Sequence, residues 1–141
     1  MPVLPFTRND APTIGVEIEL QLVDAQSFEL TNAIEPILSA LPEELQLRVK
    51  PELMQCYLEI NTGICRDVGE VRRDLQRTLG KLQVITDALG LRLYWSATHP
   101  FSQWQQQEIT VNDRYHRLVE LMQDISRRMV TFGLHVHVGV D

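Results

Sequence analysis

The chain of 141 residues, 44% hydrophobic and 23% charged, has the size and composition of about one folded domain. Its formal net charge of −6 argues against a nucleic-acid-binding surface, because phosphate backbones are met by clustered lysine and arginine. No apolar run is long enough to span a bilayer, and residues 1–11 lack the apolar segment of a secretory signal. Cys56 and Cys65 have no metal-type spacing and fit a reducing compartment. We therefore expect a cytoplasmic protein without membrane or nucleic-acid partners.

The first predicted strand covers residues 13–24. Its apolar residues alternate with Glu17, Glu19 and Gln21, so one face belongs to the core and the other carries two carboxylates. Neighbouring carboxylates repel each other unless water or a cation lies between them. On this strand alone a solvated face is the simpler interpretation. If the face lines a cleft, it provides part of a site for a hard cation such as Mg²⁺.

A turn, a short helix and a second strand are predicted next. Thr31 or Asn32 is expected to cap a helix that ends near Pro42. Alternation of apolar and polar residues from position 45 then predicts a strand that runs towards Pro51.

A third strand around residues 56–61 places Tyr57, Glu59 and Asn61 on one face. Glu52 is out of step with Glu59 if this strand is regular. The two carboxylates reach one site only if a turn or bulge separates them, or if Glu52 lies at the end of the preceding strand. We take this arrangement as a structural prediction.

The second half of the chain predicts a long helix and a strand. Apolar residues recur at three- and four-residue steps over 67–89, with Asp67 as the N-cap and Gly90 just past the C-terminus. Residues 91–95 alternate as a strand that ends before Pro100.

A second long helix and a final strand complete the predicted fold. Asn112 or Asp113 caps the helix, and it is expected to turn five apolar residues inward. These are Leu118, Leu121, Met122, Ile125 and Met129. The strand covers 133–140 and alternates leucine and valine with His135 and His137. The pattern predicts one α+β domain, 1–141, with both long helices on one face of a sheet and the carboxylates and imidazoles on the other.

Three predicted strands thus carry unusual side chains on a face that is not apolar. These side chains are Glu17, Glu19, Glu52, Glu59, His135 and His137. Each has an ordinary explanation when taken singly, since acids at strand ends and exposed histidine pairs are common. Four carboxylates on one sheet face, however, repel each other strongly unless cations are bound. Their concentration favours a metal site.

Five stretches stand out in order along the chain: Gly15–Glu19, Glu52–Asp67, Thr98–Phe101, Arg114–Tyr115 and Gly133–Gly139. Together they resemble the ATP-dependent carboxylate–amine ligases of the glutamate–cysteine ligase superfamily, in the bacterial type 2 branch. The resemblance implies the catalytic fold shared with glutamine synthetase, a curved and largely antiparallel sheet whose concave face binds metal ions and ATP. Because the sequence ends directly after a strand, we expect it to be the incomplete, N-terminal part of a longer enzyme.

The resemblance also implies roles for individual residues. The implied metal ligands are Glu17 and His135 for a nucleotide-side ion, and Glu19, Glu52 and Glu59 for an ion nearer the substrate carboxylate. The implied nucleotide-binding residues are His135, His137 and Arg114. Thr98 and His99 would shape the substrate side, although a turn residue before proline explains His99 equally well.

The implied cofactors are ATP and Mg²⁺, with Mn²⁺ as a substitute, and the implied substrates are glutamate and cysteine or another amine. Phosphoryl transfer depends on positioning and charge neutralisation, so no protein nucleophile is required and none is predicted. Two alternatives stay open: a metal-dependent hydrolase and a non-catalytic metal- or nucleotide-binding module. An open edge at the last strand predicts a homo-oligomer. We expect the 141-residue chain by itself to be inactive.

Overall fold

The structure, a computed structural model, describes residues 9–140. Its strands are β1 (Thr13–Asp24), β2 (Val49–Pro51), β3 (Tyr57–Asn61), β4 (Leu91–Tyr94) and β5 (Leu134–Gly139). Its α-helices are α1 (Ile34–Ala40), α2 (Glu43–Gln46), α3 (Val68–Ala88), α4 (Asp113–Met122) and α5 (Asp124–Arg127), and a 3-10 turn covers Trp104–Gln106. Among the described residues, no helix is long and apolar enough to cross a membrane.

The long strand β1 is the centre of a sheet in which every strand pair is antiparallel. Residues 17–21 pair with β3 on one side, while residues 13–18 pair with β5 and residues 21–24 with β4 on the other. Strand β2 extends the sheet beyond β3. The predicted α+β class and antiparallel pairing are confirmed.

Helix α3 forms as predicted. The Asp67 side chain accepts a hydrogen bond from the backbone N–H of Glu70 at 2.8 Å, and Gly90 has a φ of 70°, a left-handed conformation that glycine adopts without strain. Leu82 is fully buried and belongs to the main core, where α3 and α1 cover Leu20, Leu22 and the other apolar residues of this sheet face.

Helix α4 lies on the opposite face of the sheet, so the prediction that both long helices share one face is wrong. Tyr115 of α4 belongs to a second apolar cluster with Val23, Tyr57 and Phe132. Val23 and Tyr57 have the strand parity of Glu19 and Glu59, so half of the carboxylate face is itself apolar. Burial of this apolar half is favourable, and α4 packs against it.

The inward face predicted for the second long helix is also wrong in part. The helix stops at Gln123, whose φ is 51°, and the short α5 follows. Leu121 is 83% exposed and Ile125 is also exposed, whereas Leu118 packs against the second apolar cluster. The turn at Gln123 breaks the helical period on which the prediction relied.

The predicted second strand is replaced at its start by α2. Pro42 stands at the N-cap, and Glu43 and Glu44 occupy the first turn, where acidic residues favour a helix. The strand is reduced to Val49–Pro51. The cap predicted for α1 is wrong too: Ala33 is its N-cap, and no side chain accepts a capping hydrogen bond there.

The apolar residues of β5, and Val140 directly after it, are exposed in the part of the chain that the structure describes. Leu134, Val136, Val138 and Val140 are 55–64% exposed. Leu134, Val136 and Val138 pair with Ile18, Val16 and Ile14 and so extend the core face of the sheet beyond the reach of α3. We call these four residues the β5 stripe.

Candidate metal centre and its clefts

Three carboxylates converge on the sheet face next to α4. Glu19 on β1 lies opposite Glu59 on β3 in the antiparallel register, and Glu52 joins them from the connection directly after β2. One oxygen of each residue lies within 4.8 Å of an oxygen of the other two. We call Glu19, Glu52 and Glu59 the glutamate cluster. The sequence allowed Glu52 and Glu59 to reach one site if a turn separated them or if Glu52 lay at the end of the preceding strand. In the structure Glu52 directly follows β2, and a turn lies between it and β3.

Neighbouring groups orient two members of the glutamate cluster. Glu19 Oε2 accepts a hydrogen bond from the backbone N–H of Gly133 at 2.6 Å. Glu59 is only 9% exposed, and its Oε1 accepts a hydrogen bond from Asn61 Nδ2 at 2.7 Å and lies 3.8 Å from Lys50 Nζ. These contacts leave the remaining lone pairs of both carboxylates for a ligand.

The surroundings of Glu52 disfavour its ionised form. Burial raises the pKa of its carboxyl, and the negative charges of Glu59 and Glu19 raise it further. A weak hydrogen bond from the backbone N–H of Leu53, at 3.3 Å, opposes the shift. A bound divalent cation would remove this repulsion and favour the ionised carboxylate.

A second group of candidate ligands lies one strand period away, at Glu17. Its Oε2 is 3.1 Å from His137 Nε2 and 3.5 Å from His135 Nδ1. His135 pairs directly with Glu17 in the β1–β5 register. The hydrogen bond with His137 is the main cause that lowers the pKa of Glu17. Burial opposes this shift, and the neighbouring His137, His135 and Lys50 add to the lowering. Carboxylate and imidazole together suit Mg²⁺ less than they suit Mn²⁺ or another transition metal.

Two clefts open on this face. The cleft under α4 has a volume of about 490 Å³ and includes Glu19, Glu52, Arg114, Tyr115 and His135 in its lining. The other has a volume of about 430 Å³ and begins at Glu17 and His137, with Gly15 and Asn61 among its further lining residues. Arg114, predicted to bind the nucleotide, therefore shares a cleft with Glu19 and Glu52.

Thr98 and His99 do not line either cleft. Thr98 Oγ1 donates to Val130 O at 3.3 Å. His99 Nε2 lies 3.0 Å from Phe28 O, and Nδ1 accepts from the backbone N–H of Ser102 at 3.0 Å, which places the ring proton on Nε2. Both ring nitrogens are thus used to fasten the loop around Pro100, as the turn-residue alternative implies. A substrate role for this pair stays a prediction.

Sequence reasoning missed several contributors to the site. Asn61 was placed on the face of Glu59 by strand parity, but its hydrogen bond to that carboxylate was not foreseen. Lys50 lies opposite Glu59 only because of the β2–β3 register, which the sequence does not reveal. Gly133 and Tyr115 lie in stretches that resemble the family, but the hydrogen bonds of the Gly133 backbone to Glu19 and of the Tyr115 hydroxyl to Pro51 were not foreseen.

Comparison with known proteins gives a family for this arrangement. Residues 13–141 match the family model described as glutamate-cysteine ligase family 2 (GCS2). The chain belongs to this family. The resemblance found in the sequence motifs is therefore confirmed.

Relatives of the chain carry the name "Putative glutamate--cysteine ligase 2". The relative from Thermobifida fusca is 43% identical over 97% of this chain and 35% of its own length. The one from Gloeobacter violaceus is 42% identical over 97% of this chain and 37% of its own length. The chain thus spans about a third of the length of these curated relatives.

A solved structure shares the fold. The chain is similar to a bifunctional glutathione synthetase from Pasteurella multocida, with a TM-score of 0.59 and 16% identity. The match covers 91% of this chain and 17% of that protein. At this identity the likeness concerns the antiparallel sheet and its helices alone.

Proposed function

We propose that the protein is an ATP-dependent carboxylate–amine ligase, and specifically one that joins the γ-carboxylate of glutamate to cysteine or a related amine. The observation that carries the proposal is the glutamate cluster, whose three oxygens from separate segments lie within 4.8 Å of one another. Membership of glutamate-cysteine ligase family 2 and the names of the relatives support the ligase class.

The residues present fit divalent metal ions. Glu19, Glu52 and Glu59 offer an all-oxygen donor set of the kind that Mg²⁺ prefers. A cation would relieve the repulsion that, after burial, raises the pKa of Glu52. Glu17 and His135 would hold a second ion. When bound, such ions neutralise the charge on the phosphoryl oxygens.

The reaction we propose has two steps. A γ-carboxylate oxygen of glutamate attacks the γ-phosphorus of ATP, and ADP leaves to give an acyl phosphate. The amine nitrogen then attacks the acyl carbon, phosphate leaves with the bonding electrons, and the nitrogen loses a proton. Arg114 in the α4 cleft would bind an acidic group of the substrates, and His137 beside Glu17 would lie near the phosphates.

The double substitution Glu17→Gln with Glu19→Gln tests the proposal. Binding of Mn²⁺, and of ATP in the presence of Mg²⁺, is measured by calorimetry on the wild-type chain, the double variant and a Glu43→Gln control whose side chain is exposed on α2. We expect the double variant to bind at least about tenfold more weakly, because each site loses a charged ligand. Unchanged affinity contradicts the site assignment.

Turnover separates the ligase from the hydrolase alternative. Phosphate release from ATP that requires glutamate and rises on addition of cysteine supports the ligase and its acceptor. Metal-dependent cleavage of an amide substrate without ATP would instead favour the hydrolase, because an activated water needs no nucleotide. Binding of metal and ATP without turnover is the result expected if the chain holds only part of the site.

A further inference from the structure

Glu52 is the one member of the glutamate cluster that lies outside the strands. Strand β2 ends at Pro51 and β3 begins at Tyr57, so no ladder hydrogen bond fixes the backbone of Glu52. Glu19 and Glu59, by contrast, are held by their register across β1 and β3. Some other contact must fix the position of Glu52 relative to these two strands.

Tyr115 provides that contact. Its hydroxyl donates a hydrogen bond to Pro51 O at 3.1 Å, and the side chain is buried. The carbonyl of Pro51 and the nitrogen of Glu52 belong to one planar peptide group, so a hydrogen bond to that carbonyl sets the orientation of the plane from which Glu52 projects. Tyr115 lies in the first turn of α4, which Asn112 caps through the backbone N–H of Arg114 at 2.9 Å, so its backbone is held by the helix.

A second anchor acts on the other side of Glu52. The backbone N–H of Thr110 donates to Leu53 O at 2.9 Å, and Met54 forms a bridge with Ile109. Glu52 is thus held between two points, both supplied by residues 109–115. The segment that covers the apolar half of the carboxylate face therefore also fixes the third carboxylate.

We propose that Tyr115 is a positioning residue of the metal centre: it holds the Pro51–Glu52 peptide so that Glu52 meets Glu19 and Glu59 around one ion. This inference rests on the proposed function, because it assumes that the glutamate cluster binds a divalent cation. Tyr115 is not itself a ligand. Its effect is geometric, since Mg²⁺ accepts only a narrow range of ligand distances and angles.

The substitution Tyr115→Phe isolates this effect. Phenylalanine keeps the ring in its apolar cluster with Tyr57 and Phe132 and removes only the hydroxyl. In a Glu17→Gln background, which removes a ligand of the other candidate ion site, we expect the affinity for Mn²⁺ to fall about tenfold, as for other residues that orient metal ligands, while the unfolding temperature changes by no more than about 3 °C. The matched control is Tyr94→Phe, an exposed tyrosine on β4 remote from Pro51, which should leave the affinity unchanged.

Crystal structures of the wild-type chain and Tyr115→Phe make the two proposals separable. Weaker Mn²⁺ binding together with a displaced Glu52 supports the positioning role. Equal Mn²⁺ affinity in both proteins overturns it. If the wild-type chain binds no Mn²⁺, the proposed function fails. If Glu52 has the same position in the variant as in the wild-type chain, the positioning role fails, whatever the Mn²⁺ affinity.

Discussion

The substitution Glu52→Gln should stabilise the protein in the absence of divalent ions while weakening metal binding. Two unit charges 4.8 Å apart repel each other by about 3.5 kcal/mol at an effective dielectric constant of about 20, and Glu52 faces two such partners. Partial protonation, salt and the nearby Lys50 reduce this figure, so we expect a net gain of about 1–2 kcal/mol. For a chain of this size that gain raises the unfolding temperature by about 3–6 °C.

The effect of Glu52→Gln on stability should depend on pH. The pKa of Glu52 in the folded protein is raised above its ordinary value of 4.5, so the folded state holds the proton more tightly than the unfolded state. The stability that this proton contributes is present below about pH 4.5 and is lost as the pH rises through the folded-state pKa. The advantage of Glu52→Gln should therefore be largest near about pH 7.5 and shrink towards zero near about pH 4.

Thermal unfolding followed by circular dichroism in EDTA measures this difference, with Glu43→Gln as the control. Glu43 is exposed on α2 and lies outside the cluster, so the loss of its charge in the first turn should lower the unfolding temperature by no more than about 2 °C at any pH. Added Mn²⁺ should reverse the order of stability, because only the intact cluster gains from tight binding. A lower unfolding temperature for Glu52→Gln near neutral pH, or an advantage that does not depend on pH, would refute the argument.

Three further outcomes are expected elsewhere in the molecule. Asp74→Asn should lower the free energy of unfolding, measured by urea denaturation, by about 2 kcal/mol, because the buried carboxylate accepts hydrogen bonds from Gly63 N at 2.7 Å and from Arg77 at 2.6 Å. A loss below about 0.5 kcal/mol would show that these hydrogen bonds contribute little. Burial raises the pKa of the Cys56 thiol to about 12, so this thiol should resist alkylation at about pH 8 until the protein unfolds. Rapid labelling of Cys56 in the native state, detected by mass spectrometry of its peptide, would contradict the burial of this thiol. The exposed β5 stripe predicts self-association in light scattering, which Val136→Lys should reduce; a wild-type monomer at high concentration would count against the predicted homo-oligomer.

Local patterns in the sequence determined the elements that depend on one segment alone. Strand β1 was predicted with the bounds that the structure shows, because strict alternation is a property of consecutive residues. Helix α3 followed from its period and from the cap at Asp67, and the ordered motifs gave the family. The same alternation placed Glu17 and Glu19 on the polar face of β1.

The tertiary structure decided what depends on segments far apart in the chain. Helix α4 packs on the carboxylate face because half of that face is apolar. This apolar half is assembled from Val23 of β1 and Tyr57 of β3, so the sequence of α4 itself does not indicate which face the helix covers. The approach of Glu52 to the cluster required a turn between two strands and a hydroxyl from Tyr115, sixty-four positions from Pro51. The sequence therefore determined which groups were candidates, and the register and packing of distant segments decided which of them meet, because the distances between side chains on different elements are set only when those elements pack together.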